Sequence, residues 1–450
     1  MGDGVLAGDM SRLPPDVVGD AHTSRHTWDV LERLVEVGDR MAGQDGETEG
    51  ARVVADAFEA AGVRDVRIEA FDVDGWWRGS TSLDARGHTF DAAHQVLALP
   101  GTTDGEVEAD LVDVGYGLPE EVGPEVDGKL VLARTDVPED HDRWVHRLEK
   151  YAAAVRQGAA GFLLRNHVQG CLPPTGEIGW GRRPSPVPAV GVSSELGGRL
   201  ARYAADGEPT VRLSVDCRND PSTSVNVEGV IGPDTDEEVL VTAHVDAHDV
   251  AEGARDNGVG CALVAEVGRL LAAVEDDLST RVRLVTFGSE EIGLLGAHHF
   301  LDTHDHDSVK CVLNVDGAGE SRTPRVRTYE FDAMRSAAEA VTDDLDVPLE
   351  TESGLSPHTD AWPFAEAGIP AVTAGSARES SGRGWGHTHA DTLDKLDPRD
   401  LRALAVVFGS YALELASTDR STPHRSREEI RERIPDHVET ELSFFDRWTL

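Results

Sequence analysis

The spacing of apolar and polar positions changes along the chain, and this change divides the sequence into an earlier and a later part. From residue 224 onward, short apolar runs alternate with stretches in which apolar residues lie three or four positions apart. Short runs are typical of buried strands and the wider spacing of helices. The predicted strands are 225–230, 238–243, 281–287, 312–315 and 371–374, and the predicted helices are 259–271, 292–301, 334–341 and 398–415. This alternation predicts an α/β fold with a mostly parallel central sheet sandwiched by helices.

In the earlier part of the chain, the pattern predicts a first segment of the α/β domain and then a separate unit. Helical spacing at 24–37 and 48–61 precedes an alternating strand at 66–73, and we assign no chemistry to this opening. Between 88 and 217 the pattern changes to short strand signals, helices at 148–157 and 196–203, and Pro-rich loops. We therefore expect a flexible N-terminus (1–20), a discontinuous α/β domain (21–87 and 218–420), a small β-rich insert (88–217) and a charged C-terminal tail (421–450).

The net charge of the chain limits the kinds of molecule that it can bind. The 450 residues include 83 Asp and Glu but 42 Lys and Arg, which gives a formal net charge of -41, and lysine occurs at four positions only. Such self-repulsion destabilises a compact state in dilute buffer, and molar salt screens it. We predict a halophilic protein; circular dichroism that stays unchanged on dialysis from molar to millimolar salt would contradict this. The same charge argues against nucleic acid and anionic membranes as partners.

The chain shows no signal for a membrane or a secretory route. No apolar stretch reaches the roughly 18 residues of a membrane span, and residues 1–20 lack a basic start followed by an apolar block. The four cysteines are widely spaced and predict free thiols. We therefore expect a cytoplasmic location.

Polar side chains follow several of the predicted strands where each strand ends. His244 and Asp246 follow the run 238–243, and Asp256 precedes the next helix. Glu290 and Glu291 follow the strand 281–287. The strand 312–315 is followed by Asp316, and the motif 386–394, which contains His387, precedes the last helix. In open α/β sheets the carboxyl ends of the strands form the ligand-binding edge.

So many carboxylates at one edge of a sheet need cations. Like charges a few ångströms apart cannot all stay ionised, whereas two divalent metals would neutralise them with one carboxylate between the two ions. The adjacent Glu290 and Glu291 suit divided roles, with one as a metal ligand and its neighbour as the acceptor of a proton from water.

These motifs, in this order, resemble those of the co-catalytic zinc aminopeptidase family of metallopeptidases, and within it the carboxypeptidase Q-like (plasma glutamate carboxypeptidase-like) branch. The segments 244–256 and 387–398 carry the resemblance. The insert resembles a protease-associated domain at 128–132, 158–161 and 187–190. The resemblance implies that the discontinuous domain is a catalytic domain with two zinc ions.

The resemblance also implies a role for each residue. His244 and Asp316 would hold one zinc, Glu291 and His387 the other, and Asp256 would bridge them. Glu290 would be the general base and Asp246 would orient His244. The resemblance implies the roles of His358 and His389 less directly. Both would contact substrate, with support of His387 or a place at the surface as the alternatives for His389. His248 stands where sequences of this branch tend to have Trp.

The implied activity is hydrolysis of a peptide or dipeptide next to its free N-terminus, as an aminopeptidase or dipeptidase. We also expect the chain to form a homodimer. Two alternatives stay open at this point. A glutaminyl cyclase-like enzyme has this fold with a single zinc, and a non-catalytic binding protein has the fold without the reaction. The bridging position and Glu290 favour the two-zinc peptidase.

Overall fold

The computed structural model describes residues 12–179, 184–207, 209–378 and 384–450. The chain opens with three helices that lead into a long strand. Helix α1 begins within the residues predicted to be a flexible N-terminus, and residues 1–11 lie outside the described part. These elements are α1 (Pro15–Thr23), α2 (His26–Val37), α3 (Asp45–Ala60) and β1 (Arg64–Ala85).

The middle of the chain, 88–231, is richer in strands than in helices. Its elements are β2 (His88–Phe90), β3 (Val96–Ala98), β4 (Gly105–Asp113), β5 (Leu130–Arg134), α4 (Arg147–Arg156), β6 (Gly161–Arg165), β7 (Ala189–Val192), α5 (Ser194–Ala205) and β8 (Thr210–Ile231).

The last part alternates strands and helices as predicted. Its elements are β9 (Glu238–His244), α6 (Val259–Ala272), β10 (Arg281–Phe287), α7 (Leu295–Thr303), β11 (Val309–Val315), β12 (Pro324–Arg327), α8 (Asp332–Asp344), β13 (Glu350–Glu352), α9 (Ala361–Glu366), β14 (Ala371–Ser376), α10 (Pro398–Ala416), α11 (Arg427–Arg431) and α12 (Asp436–Phe444).

Within the described residues, the strands form one sheet with the order β13-β12-β14-β11-β9-β10-β8-β4-β5-β6-β7-β3, and β1 pairs with β8 and β2. Parallel pairs join β14, β11, β9 and β10 in the last part of the chain, and β4, β5, β6 and β7 in the middle part. The predicted mixed α/β architecture with a mostly parallel sheet is confirmed.

Strands β1 and β8 are longer than the sequence pattern predicts. Each has 22 residues, and they pair antiparallel from Arg64 opposite Val230 to Ala85 opposite Val211. The pattern indicated a strand over 66–73 alone, because Gly75 and Gly79 lower the strand propensity of the second half. Pairing with β8 outweighs this local preference, so the two strands join the middle part of the sheet to the last part.

Helix α6 lies in the core and positions the chain segment before it. Its side chains Leu263, Val264, Val267 and Leu271 are fully buried. A helix that is apolar on every side must be covered on every side, and α6 packs against β9, α2 and α10. The N-terminus of α6 therefore has a fixed place beside the end of β9.

The C-terminal tail is part of this fold. Ile430, Val438 and Leu442 are buried, and α12 packs against α4 of the middle part. These apolar positions are separated by charged residues, so the composition of 421–450 indicated a charged tail. None of the helices in the described ranges combines the length and apolar character needed to cross a membrane.

Candidate metal centre

The ends of neighbouring strands bring the predicted residues to one edge of the sheet. Strand β9 pairs in parallel with β10 on one side and β11 on the other. His244 is the last residue of β9, Glu290 and Glu291 follow β10, and Asp316 follows β11. Because parallel strands end at the same edge, these side chains converge there.

Asp256 lies between two histidines. One carboxylate oxygen, Oδ1, is 3.3 Å from His244 Nε2, and the other, Oδ2, is 3.1 Å from His387 Nε2. The two imidazole rings therefore approach opposite oxygens of one carboxylate. This is the arrangement that a carboxylate shared by two metal ions requires.

Each histidine belongs to a separate group of donors. His244 lies with Glu290 and Asp316, and one ligand atom from each of these lies within 4.8 Å of the others. His387 lies with Glu291, whose Oε2 is 3.3 Å from His387 Nε2. All the metal-ligand positions predicted from the sequence are thus brought together in two groups that meet at Asp256.

The donor set fits a pair of divalent cations. Among the described residues, neither His244 Nε2 nor Glu291 Oε1 has a hydrogen-bond partner, although both atoms are buried. Leaving a buried polar atom without a partner costs roughly 1–3 kcal/mol. Imidazole and carboxylate are ligands of zinc, with bonds of roughly 2.0–2.2 Å. These atoms therefore have the type and the setting of metal ligands.

Asp246 contacts other parts of the site in addition to His244, the residue that it was predicted to orient. The ring atom His244 Nδ1 lies 3.1 Å from the backbone oxygen of Asp246 and 3.5 Å from its carboxylate. The carboxylate itself accepts hydrogen bonds from the backbone N–H groups of Glu290 and Glu291, each at 3.0 Å. Asp246 therefore joins the end of β9 to the loop after β10.

Burial and neighbouring charges shift the pKa values of the carboxyl groups in different directions. Burial alone would raise the pKa of Asp256, but His244 and His387 hold this pKa well below its usual range. Burial likewise opposes the effect of His248 and His387 on Glu291, whose pKa also lies well below its usual range. Burial is the main cause that raises the pKa of Glu290 well above its usual range; the charges of Glu291, Asp360 and Asp316 act in the same direction and His244 acts against them. Carboxyl groups whose surroundings shift their pKa values in opposite directions are typical of sites that divide ligand and acid–base roles.

Two buried side chains, one just after α2 and one on α3, hold the loops of the site, a role that the sequence analysis missed. Arg40, which is fully buried, donates to the backbone oxygens of Val245, Glu252 and Gly253 at 2.9–3.0 Å. These carbonyls belong to the segment that connects His244 to Asp256. An arginine just after a helix carries no ligand signal, so only its contacts reveal this role.

Glu47 on α3 holds the loop after β10 through hydrogen bonds. Its carboxylate accepts hydrogen bonds from Ser289 N–H, Gly43 N–H and Ser224 Oγ–H, each at 2.8 Å. Burial, together with the charge of Asp246, raises the pKa of Glu47 to about 8. The loop that carries Glu290 and Glu291 is therefore held between two buried carboxylates, Glu47 and Asp246.

The motif around His387 supplies a further support for the bridging residue. The carboxylate of Asp391 accepts hydrogen bonds from the backbone N–H groups of Arg255 and Asp256 at 2.8 and 3.0 Å. Burial and the charge of Asp256 raise the pKa of Asp391 to about 6. The last motif thus contributes both a ring nitrogen and a backbone anchor to the site.

The two histidines predicted to contact substrate lie in different places. His358 lines a cleft of about 320 Å³ together with Glu290 and Glu291. His389 is half-buried, and His94 is the charged neighbour that influences its pKa, which burial lowers. The structure therefore brings His358 to the cleft beside Glu290 and places His389 next to His94.

His248 lies beside the donor atoms of Glu291 and His387. No role was assigned to it from the sequence, beyond the observation that related sequences tend to have Trp at this position. His248 Nε2 is 2.9 Å from Glu291 Oε2, and its ring lies edge-on to that of His387 with centroids 4.4 Å apart. The signal available in the sequence was its spacing of four residues from His244 in the same loop. Spacing alone gives no direction for a side chain in a loop.

Comparisons with known proteins agree with this geometry. Residues 226–412 match the model of peptidase family M28, and residues 105–200 match that of the PA domain. The chain is 26% identical to aminopeptidase YwaD of Bacillus subtilis (strain 168), over 92% of this chain and 90% of that protein. It is 24% identical to carboxypeptidase Q of Mus musculus, over 88% of this chain and 87% of that protein.

A solved structure supports the same fold. A zinc aminopeptidase from Bacillus subtilis superposes with a TM-score of 0.67 at 22% identity, covering 86% of this chain and 93% of that one. At this level of identity the likeness concerns the fold alone. Residues 226–412 therefore resemble peptidase family M28 and residues 105–200 a PA domain, and together with the relatives and the donor groups at the sheet edge these matches identify the chain as a metallopeptidase.

Proposed function

We propose that this metallopeptidase is an exopeptidase that cleaves a peptide or dipeptide next to its free N-terminus, and that it uses two zinc ions. The position of Asp256 carries the proposal. Its two carboxylate oxygens approach His244 and His387 at 3.3 and 3.1 Å, which supports a bridging ligand between two ions. A single-zinc enzyme, such as the glutaminyl cyclase-like alternative, has no need of a carboxylate shared in this way.

In this proposal His244 and Asp316 hold one ion, Glu291 and His387 hold the other, and Asp256 belongs to both. When bound, the two ions supply Lewis-acid chemistry that polarises the peptide carbonyl and makes water more acidic. The protein fixes the ligands for this purpose, because Asp246, Glu47 and Asp391 hold the backbone on either side of them.

Glu290 is the general base of the proposed reaction. Its carboxylate takes a proton from the attacking water while the water oxygen bonds to the carbonyl carbon. The same proton then passes to the amide nitrogen as the C–N bond breaks, so the products are a carboxylate and an amine. Burial and neighbouring carboxylates raise the pKa of Glu290, which suits a group that holds the proton between these steps.

Contacts with the middle part of the chain support a short substrate. We propose that residues 88–217 form the protease-associated domain and that 21–87 and 218–420 form the catalytic domain. His146 and Arg147 line the cleft opposite Glu290, and Thr175 N–H donates to the backbone oxygen of His387 at 2.7 Å. A wall at this side of the cleft leaves room for a chain end rather than for a long peptide.

The test is a substrate panel of aminoacyl chromogens, dipeptides and N-blocked peptides, in molar salt, with and without a chelator. We expect hydrolysis of substrates with a free amine, loss of activity with the chelator, and recovery with zinc. Efficient cleavage inside long N-blocked peptides would contradict the proposal. One zinc per chain together with cyclised N-terminal glutamine as product would favour the single-zinc alternative.

A further inference from the structure

His248 is the histidine of the site that the proposed ligand set leaves unused. It is 5% exposed and lies in the loop after β9, between His244 and Asp256. Among the described residues, neither of its ring nitrogens has a hydrogen-bond partner. A buried imidazole in this state is costly, at roughly 1–3 kcal/mol for each polar atom without a partner.

The contact between His248 and Glu291 is short but lacks the direction of a hydrogen bond. His248 Nε2 lies 2.9 Å from Glu291 Oε2, yet both His248 Nε2 and Glu291 Oε1 remain without hydrogen-bond partners in the described part of the chain. The same oxygen, Oε2, lies 3.3 Å from His387 Nε2. Two imidazole nitrogens that converge on one carboxylate are the arrangement expected around a shared cation.

The separations between these atoms are slightly shorter than those between the ligands of a bound zinc ion. The distances are 2.9 Å from His248 to Glu291, 3.3 Å from Glu291 to His387 and 3.1 Å from His387 to Asp256. Tetrahedral ligands with bonds of roughly 2.0–2.2 Å lie roughly 3.3–3.6 Å apart. The two rings are nearly perpendicular, at 80°, which allows both nitrogens to face one point.

We infer that His248 is a fourth protein ligand of the second zinc ion, together with Asp256, Glu291 and His387. The inference rests on the proposed two-zinc function and adds to its ligand set. With Asp256 counted at both sites, the second site would have four protein donors and the first would have three, His244, Asp256 and Asp316.

The two ions would therefore differ in how tightly they are held. The second ion, with one more protein ligand than the first, would be the tighter of the two.

The experiment measures metal binding directly, on the full chain in molar salt. The zinc-loaded wild type and the variants His248→Ala and His248→Cys are titrated with a chromogenic chelator. We expect the wild type to release two ions, one at least roughly tenfold more tightly bound than the other. In His248→Ala the tight ion should weaken by at least roughly 10- to 100-fold, the loss seen when a residue that only supports a metal ligand is removed. His299→Ala, a partly exposed histidine on α7, serves as the control and should behave as the wild type.

The cysteine variant separates ligation from a supporting contact. Zinc and cobalt accept thiolate in place of imidazole. In cobalt-loaded His248→Cys we expect a near-ultraviolet thiolate-to-cobalt absorption band and recovery of the tight ion. A cysteine that merely neighbours Glu291 would give no such band. Absence of the band, or a tight ion that is unchanged in His248→Ala, would overturn the inference, whereas a wild type that binds fewer than two ions would overturn the proposed function itself.

Discussion

Two groups of His and Glu side chains lie close to the cleft, and only one of them has the geometry of a metal centre. In the centre, the donor atoms around Asp256 and Glu291 are 2.9–3.3 Å apart. The second group, which we call the junction cluster, consists of His146 at the start of α4, His358 before α9 and Glu441 on α12. Its residue types are those of a zinc site.

The directions of the rings distinguish the two groups. In the junction cluster the His146 and His358 rings lie against each other, with centroids 3.8 Å apart and planes tilted by 30°. Glu441 is 3.6 Å from His358 Nε2 and 4.0 Å from His146 Nδ1. His146 also accepts the N–H of Leu148 as a helix cap, and its other ring nitrogen lies 2.9 Å from Arg147. Residue types alone therefore do not make a metal site; the lone pairs must face one point.

The largest expected contrast between the two groups is in metal dependence. Asp256→Asn should bind less zinc and lose activity beyond detection, because a neutral amide leaves the charge of two cations uncompensated. Exhaustive chelation of the wild type should have the same effect, reversed by zinc. Metal analysis and hydrolysis of a free dipeptide check this together. Full activity at a verified metal content of nil would remove the centre from the mechanism.

Glu290→Gln tests the base without disturbing the ligands. The amide keeps the shape of the side chain but cannot accept the proton, so turnover should fall by roughly 10²- to 10⁴-fold. The loss should appear in kcat rather than in KM, because the proton moves only on the way to the transition state. Metal content should remain as in the wild type. A variant that keeps wild-type kcat would show that another group takes the proton.

Glu291→Gln is the matched partner of that variant, one residue further along the chain. We expect lower metal occupancy, since an amide oxygen is a weaker donor than the carboxylate that now faces His248 and His387. Metal analysis of the two variants side by side distinguishes their roles. If Glu290→Gln loses an ion while Glu291→Gln keeps both, the assignment of the pair is reversed.

The smallest effect is expected in the junction cluster, and it concerns stability rather than metal. Burial, with the charge of Glu149, raises the pKa of Glu441 well above its usual range. A carboxyl group whose pKa is raised in the folded state stabilises the fold while protonated, and this contribution is lost as the pH rises above its ordinary pKa of roughly 4.3. The free energy of unfolding should therefore fall less between pH 5 and pH 8 in Glu441→Gln than in the wild type.

Denaturant unfolding at several pH values, in molar salt, checks this prediction. Glu439→Gln, an exposed position on the same helix, is the control and should keep the wild-type pH dependence. Metal content should be the same in all three proteins. A loss of zinc from Glu441→Gln would contradict the distinction drawn between the two groups.

Much of the fold follows from the sequence because its strands and helices alternate strongly. The strands 238–244 and 281–287 and the helix 398–416 lie within one residue of their predicted bounds. The sequence missed α1, β12, β13, α9 and α12, which are short or mix apolar with charged positions. It also missed the length of β1, since long-range pairing with β8 outweighs the local effect of glycine. The domain bounds, the cytoplasmic location, the homodimer and the need for molar salt stay predictions.

What the sequence by itself determined is which residues could carry the chemistry. His244, Glu290, Glu291 and Asp316 were identified because they follow apolar runs that must be buried. Asp256 and His387 were identified from the motifs that precede two helices. Only the tertiary structure decided what these residues face. Arg40 and Glu47 have no local signal, and the spacing of His248 gives its side chain no direction. The contacts of all three come from parts of the chain far apart in sequence. The junction cluster shows the converse, since its three residues have the types of zinc ligands but their orientations are set by packing between α4, α12 and the loop before α9.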